Sequence, residues 1–375
     1  MSASISTVAS PFVYEEPVDP SALIDRTAEL DLLVDRAGQA RNTRLDGARR
    51  FGKTSLLRAV LAAAEREGAV PVEVNFLGCV SAADVADRIE RAYATQLESG
   101  LRRWFDGLVR TLRPTISVTP GGIGVSAQPR TSAPGLLDRL ALPRRIHERT
   151  GRICVIAFDE FQEVLRIDSA LPGAFRSELE THGTAAAYVF SGSHPGLMRE
   201  MFADRRHAFF AQATPIELGP LPADELADFL LARFADGRRD PGEALGPLLD
   251  ACEGHPQRAM LLAHHLFERI EAGGTGDVEI WADTLDAARR ETYGEHQLLW
   301  EASTEIERRV VKLIAHRTVP LTGREAMERF GLAKSGSSRV AVERLAGDGH
   351  LVRDESTRTG WRIVDPFFAA WLRGE

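Results

Sequence analysis

Apolar positions along the chain change period and so mark out alternating elements. Between Ser21 and Ala40, the residues Leu23, Ile24, Leu30, Leu32, Leu33 and Ala37 recur at roughly one helical turn and predict a helix. A short apolar piece at Arg44-Leu45 reads as a strand, with Asp46 unusual at its end. A helix rich in Ala and Leu follows over Thr54 to Glu67, then a strand over Ala69 to Leu77 and a helix over Ala83 to Glu98. Over Arg113 to Pro134 the pattern breaks. Pro114, Pro120, Gly121, Gly122, Gly124, Pro129 and Pro134 punctuate alternating Ile116, Val118, Ile123 and Val125, as in a β-hairpin or loop insertion. Leu136 to Thr150 returns to helix, and Ile153 to Phe158 is an unbroken apolar run of the kind covered on both faces of a sheet. Tyr188 to Ser191 and Pro215 to Leu218 are further strands. Strands alternating with helices imply an α/β fold with a parallel, doubly wound sheet.

The second half reads differently. Pro222 to Gly273 is helical throughout, broken at Gly237–Asp240 and Gly254–Pro256, and Gly273, Gly274 and Gly276 form a linker-like patch. Glu305–Ala315, Thr322–Phe330 and Ser335–Leu345 predict three helices. Leu351–Arg353 and Gly360–Val364 then pair as a hairpin around Asp354–Thr359. Three helices and a hairpin make a winged helix-turn-helix. Its third helix would enter the major groove of double-stranded DNA with Lys334, Ser337, Ser338 and Arg339 foremost and Arg358 on the wing, which confines DNA contact to residues 322–362. Modules of this shape also dock protein partners. The chain divides into an N-terminal extension (1–20), an α/β core (21–219), a helical lid (220–295) and the winged module (296–375).

Composition narrows the function classes. The formal net charge of -8 argues against a protein that coats nucleic acid with its whole surface. The segment Thr304–Glu375 alone has a basic balance, with 13 Lys/Arg against 10 Asp/Glu. Cys79, Cys154 and Cys252 are far apart and without a Cys-x-x-Cys pair, so neither a disulfide framework nor a zinc site is expected. With no signal-like N-terminus and no apolar run of membrane-spanning length, the expected location is the cytoplasm, away from the membrane.

The chemistry lies in a few short segments. Gly47-Ala48-Arg49-Arg50-Phe51-Gly52-Lys53-Thr54, followed by a strong helix, is a phosphate-loop motif in its expected setting. Glycines let backbone N–H groups curl around a phosphate, Lys53 sets a compact charge against the β/γ oxygens, Thr54 offers a hydroxyl to Mg²⁺, and the helix N-terminus adds partial positive charge. The loop and Ser55 are therefore candidate nucleotide contacts. Asp159-Glu160 ends the apolar strand Ile153–Phe158. Asp159 can share the Mg²⁺ with Thr54, and Glu160 can take a proton from, or orient, an attacking water. Glu163, one turn on, reads as surface. Ser191 and Ser193, in the turn after Tyr188–Phe190, are alternative sensors of a γ-phosphate. Gly254-His255-Pro256 starts a new helix and reads as a lid loop over a base, with Arg258 approaching the phosphates. Arg205 and Arg206 read as solvated surface arginines rather than a finger reaching a neighbouring subunit.

Taken in order, these residues resemble the archaeal-type ATPases among the STAND and AAA+-related P-loop NTPases. The likeness runs through Phe12-Val13-Tyr14 with Pro17-Val18, Leu23-Ile24-Asp25-Arg26-x2-Glu29-Leu30, Gly47–Leu57, Asp159-Glu160-Phe161-Gln162, Gly192-Ser193, Leu218–Leu221, Gly254-His255-Pro256, and Asp365-Pro366-Phe367 through Trp371-Leu372. It covers nearly the whole chain. It implies a five-stranded parallel sheet and a switch that binds and hydrolyses Mg-ATP between core and lid. Arg26, His255 and Pro256 then join the nucleotide contacts, and ATP rather than GTP is expected. The family's N-terminal box usually reads Gly-Arg where this chain has Asp25-Arg26. The Gly-Arg often found before the fifth strand is replaced by Ala211-Gln212, so the family's arginine finger is not expected there. Oligomerisation is compatible with the resemblance.

Overall fold

The computed structural model describes residues 9–20, 23–112, 133–317, 319–321, 323–332 and 336–375. The insertion expected at Arg113–Pro134 falls almost wholly outside the described residues, as do Thr322, Lys334 and Ser335.

Five strands form one parallel sheet: β1 (Thr43–Gly47), β2 (Val70–Asn75), β3 (Cys154–Asp159), β4 (Ala186–Ser191) and β5 (Thr214–Leu218), in the order β2-β3-β4-β1-β5. Every residue of β3 and β4 is buried, as their continuous apolar runs require in a sheet covered on both faces. Because side chains alternate along a strand, Cys154, Ile156 and Phe158 of β3 enter one core, with Ala186, Tyr188 and Phe190 of β4. Val155, Ala157, Ala187 and Val189 enter the other, against Leu56, Leu57 and Val60 of the helix Lys53–Arg66. Parity thus sends Asp159 and Ser191, at the strand ends, toward the phosphate-loop helix. Asp46 is tolerated at the end of β1 because Arg44 grips it at 2.6–2.8 Å.

Several elements differ from the pattern-based reading. The first helix spans Thr27–Gly38 only, because Asp25 adopts φ 23° and Arg26 turns its guanidinium to the Gly219 carbonyl, leaving Leu23 and Ile24 outside the helix. The helix expected over Leu136–Thr150 is two, Ala133–Leu140 and Leu142–Thr150. Among the described residues, helices that the pattern did not give include Ser99–Leu112, Gln162–Ile167, Leu171–Leu179, Val278–Ala302 and Pro366–Arg373. Gly100 and Gly107 obscure the first, and Gln162–Ile167, Leu171–Leu179 and Pro366–Arg373 are short.

The helical lid comprises Ala223–Asp236, Leu245–Cys252 and Pro256–Arg269, and one 25-residue helix, Val278–Ala302, runs from it into the C-terminal module. The boundary at 295/296 falls inside that helix. Phe12 of the N-terminal segment is buried in the lid core, its ring 4.9 Å from Phe234 and 5.8 Å from Phe267. The segment is therefore part of the lid's packing.

The C-terminal module has three helices (Glu305–His316, Arg324–Phe330, Gly336–Gly347), an antiparallel hairpin of β6 (Leu351–Arg353) and β7 (Trp361–Ile363), and a last helix, Pro366–Arg373. This is the winged-helix arrangement. Thr304 and Glu307 form a capping box at its start. Among the described residues no helix is long and apolar enough to cross a membrane.

Candidate functional site

The ends of β1, β3 and β4 meet at one cleft, closed from above by the lid and from the side by the N-terminal segment. Its lining includes Arg26, Arg49, Arg50, Phe51, Gly52, Lys53, Thr54, Ser55, Asp159, Glu160, Ser193 and Pro256, so most of the residues expected from the sequence converge there.

The loop's glycines each answer a local demand. Gly52 has φ 82°, a left-handed conformation that costs a side-chain residue energy. At Gly47 a Cβ would stand 3.1 Å from the Leu218 Cβ of β5, a tight contact that glycine avoids. Gly47 and Ala48 do not line the cleft. Their carbonyls accept the Lys53 ammonium at 2.9 and 2.7 Å. Burial pushes the Lys53 pKa down to about 8, against the opposing pull of Glu160, Asp159 and Asp46.

Thr54 Oγ1 donates to Asp159 Oδ2 at 2.9 Å, which joins the loop to the acidic strand. Ser191 Oγ donates to Asp159 Oδ1 at 2.7 Å, and Asn75 Nδ2 reaches Oδ2 at 3.4 Å. Ser191 is fully buried, so it orients Asp159 and does not face the cleft as a sensor. The hydroxyl and carboxylate of Thr54 and Asp159 are the hard oxygen donors that Mg²⁺ takes, with the remaining positions left to phosphates and water. Among the described residues no group of three or more His, Cys, Asp or Glu could hold a metal by itself.

Glu160 sits at φ 53°, strained for a residue with a side chain. Its Oε2 accepts from Ser193 Oγ at 2.7 Å, from the Ser193 N–H at 3.3 Å and from Gln162 Nε2 at 2.5 Å. One carboxylate oxygen is thereby held, while among the described residues Oε1 makes no such bond. Gln162, buried beneath, stood in the motif that carries the resemblance, but its bond to Glu160 was not foreseen. A Cβ at Gly192 would meet Gln162 Oε1 at 2.2 Å and Met198 Cγ at 2.8 Å, so a larger residue there would displace the Gln162 amide from Glu160.

Two expected contacts are redirected. His255 is buried, caps the helix Pro256–Arg269 and packs edge-on against Phe51 at 5.0 Å; burial pushes its pKa down to about 4. It supports the loop from behind and does not line the cleft. Arg258 does not approach the phosphates. Nε and Nη2 grip Asp365 at 3.0 and 2.6 Å, and Nη2 reaches Glu295 at 3.3 Å. Burial acts to raise the Asp365 pKa, yet hydrogen bonds from His296 and Arg258 hold it well below the usual carboxylate range. Glu295 in turn forms a two-pronged pair with Arg50 of the phosphate loop at 2.6 and 2.7 Å. Loop, lid and C-terminal helix therefore meet in one charged cluster, in which Arg50 and Glu295 are 245 residues apart in sequence and Arg258 and Asp365 are 107 apart. A second contact joins the turn after β4 to the winged module: His194 Nε2 lies 3.1 Å from Asp348 Oδ1, and Gly196 abuts Gly347. Arg206 is exposed and paired with Asp204 at 2.6 Å, as the surface reading expects.

A parallel sheet with the phosphate-loop strand second from one edge, a strand inserted between it and the acidic strand, a lid and a winged module together make a P-loop NTPase fold. The sequence matches no protein-family model and no curated protein. Among solved structures the chain is similar to the Walker-type ATPase of Pyrococcus abyssi, with TM-score 0.69 and 18% identity over 96% of this chain and 99% of that one. It is also similar to the Aeropyrum pernix ORC2 protein in its ADPNP-ADP complexes, with TM-score 0.63 and 18% identity over 97% and 96%. The ADP form of ORC2 gives TM-score 0.50 at 18% identity over 98% and 97%.

Proposed function

We propose that this chain is a switch that binds Mg-ATP, hydrolyses it, and couples its nucleotide state to the C-terminal winged module. The observation that carries the reading is the 2.9 Å contact of Thr54 with Asp159, beside a Glu160 carboxylate held by one oxygen. ORC2, similar in fold, forms ADPNP-ADP complexes, which supports a nucleotide in the same cleft.

Lys53 and the loop N–H groups would hold the β- and γ-phosphates, with Thr54 and Asp159 positioned for Mg²⁺, which neutralises phosphate charge when bound. Glu160 Oε1 would accept a proton from water as its oxygen bonds to the γ-phosphorus and the bond to the β–γ bridging oxygen breaks. ADP and phosphate are the products. Ser193 keeps Glu160 aimed and lines the cleft where it could also sense a γ-phosphate, and Ser191 keeps Asp159 aimed. Phosphates at Arg50 would compete with Glu295, and this is the route from nucleotide to lid.

The winged module is proposed to bind double-stranded DNA through 322–362, as its plan suggests. Protein docking is the second reading, and a specific observation favours it: Arg324, Arg329 and Arg339 pair with Glu328, Glu325 and Glu343 at 2.6–2.9 Å, while Met327 and Val340 are exposed between them.

Turnover of ATP by the wild type, Lys53→Ala and Glu160→Gln, with and without duplex DNA, tests both parts. Both variants are expected to lose turnover by about 100-fold or more, with Glu160→Gln still binding ATP. A wild type that neither binds nor hydrolyses ATP would sink the proposal. No stimulation by DNA and no retarded DNA at low salt would leave the protein-docking form.

A further inference from the structure

The turn after β4 has two faces. On one, Ser193 holds the Glu160 carboxylate through its hydroxyl at 2.7 Å and its N–H at 3.3 Å. On the other, the next three residues carry the winged module. His194 Nε2 lies 3.1 Å from Asp348 Oδ1. His194 Nδ1 accepts the Leu197 N–H at 3.2 Å, so in the neutral ring Nε2 bears the proton and donates to that carboxylate. Pro195 packs on Gly349, where a Cβ would stand 3.3 Å from Pro195 Cδ and 3.6 Å from the Ser193 carbonyl oxygen. Gly196 meets Gly347 backbone to backbone, and a Cβ at Gly196 would stand 2.8 Å from the Gly347 Cα. Main chain on both sides has no side chain to swing aside, so the seam passes on a displacement of either partner.

The seam lies at the C-terminal end of the module's third helix, Gly336–Gly347, and Arg339 is exposed near the other end. One helix thus runs from the open face of the module to the turn that holds Glu160.

We infer that the docked winged module is a positioning element for hydrolysis: it fixes the turn through His194, Pro195 and Gly196, and the turn fixes Glu160 through Ser193. Glu160 needs that support, because a side-chain residue at φ 53° keeps its conformation only where the surroundings impose it. With the seam open, Ser193 loses its outer support, and the carboxylate spreads over orientations other than the one that takes a proton from water. Nucleotide binding is untouched, since Lys53, Thr54 and Asp159 lie outside the seam. This control rests on the hydrolysis reading above and adds a direction to it, from module to site.

The test separates turnover from binding on the full chain. Gly196→Ala adds one methyl to the seam and removes no polar group. His194→Asn keeps a side chain that caps the helix Pro195–Ala203 but is too short to reach Asp348. Each is expected to lower kcat about tenfold, the effect of a slightly misplaced reacting group, with the affinity for ATP unchanged. Added to Ser193→Ala, Gly196→Ala is expected to cost nothing further, because the path runs through Ser193. A seam that only holds the fold together would lower the melting temperature and leave kcat alone, and that result in both variants overturns the inference. So does a full additional loss in the double variant. A wild type that does not turn over ATP overturns the hydrolysis reading and the inference with it, an outcome distinct from the other two.

Discussion

The phosphate-loop cleft and the surface of the winged module are both rich in charge, but they use it in opposite ways. In and around the cleft the key cations are buried or tied to distant elements: Lys53 is buried on its own loop's carbonyls, Arg258 is buried on Asp365 of the C-terminal helix, and the half-exposed Arg50 reaches Glu295 of the long helix. On the winged module, Arg324, Arg329 and Arg339 are more than half exposed, and each pairs with a glutamate one turn away on its own helix. Pairs of the first kind are expensive to break, because removing one partner strands a desolvated charge. Pairs of the second kind contribute little and exchange readily for water or another ligand. The cleft is thus built to hold a fixed geometry. The module's face is built to be re-used, whether the partner is phosphate or protein.

The comparison can be broken at its strong end. Arg258→Ala is expected to destabilise the protein by about 3 kcal/mol or more, since Asp365 then loses the guanidinium that holds it. Urea unfolding measures this. A loss below about 1 kcal/mol would put Arg258 with the exposed pairs and dissolve the distinction.

The pH dependence of binding sharpens it. The folded pKa of Lys53, near 8, lies below its ordinary 10.5, and anionic phosphates favour the ammonium form. Nucleotide affinity should therefore be flat below about pH 8 and fall as pH rises, by up to about tenfold per unit, with a proton taken up on binding. Titration calorimetry at pH 9 in buffers of different ionisation heat would detect that proton. No uptake would mean that the lysine stays charged in the free protein.

The weak end carries the smallest effect. Arg339→Ala should change stability by no more than about 0.5 kcal/mol, for the exposed pair with Glu343 is screened by water and salt. A larger loss by thermal unfolding would mean that the third helix of the module is not a free face.

Local pattern made the phosphate loop readable because eight consecutive residues carry its geometry and the following helix is strong on propensity alone. The acidic pair was readable because an apolar run ending in two carboxylates is a contiguous signal, and strand parity then carries Asp159 and Ser191 to the same face. The roles of the two serines were not readable, since only the sheet order and that parity put Ser191 under Asp159 and leave Ser193 beside Glu160. The role of Gln162 was hidden for the same reason: it bonds a carboxylate two residues back, where Glu160 adopts a left-handed backbone and Gly192 leaves room.

Long-range pairing separates what could be foreseen from what could not. Elements, their alternation and the motif residues follow from periodicity and short-range sterics, which depend on near neighbours along the chain. Whether Arg258 turns to phosphate or to Asp365, whether Phe12 hangs free or fills the lid, and whether Arg50 meets Glu295 depend on how distant elements dock. Buried charges and rings take the partner that docking brings within about 3–5 Å, and no short stretch of sequence encodes that meeting.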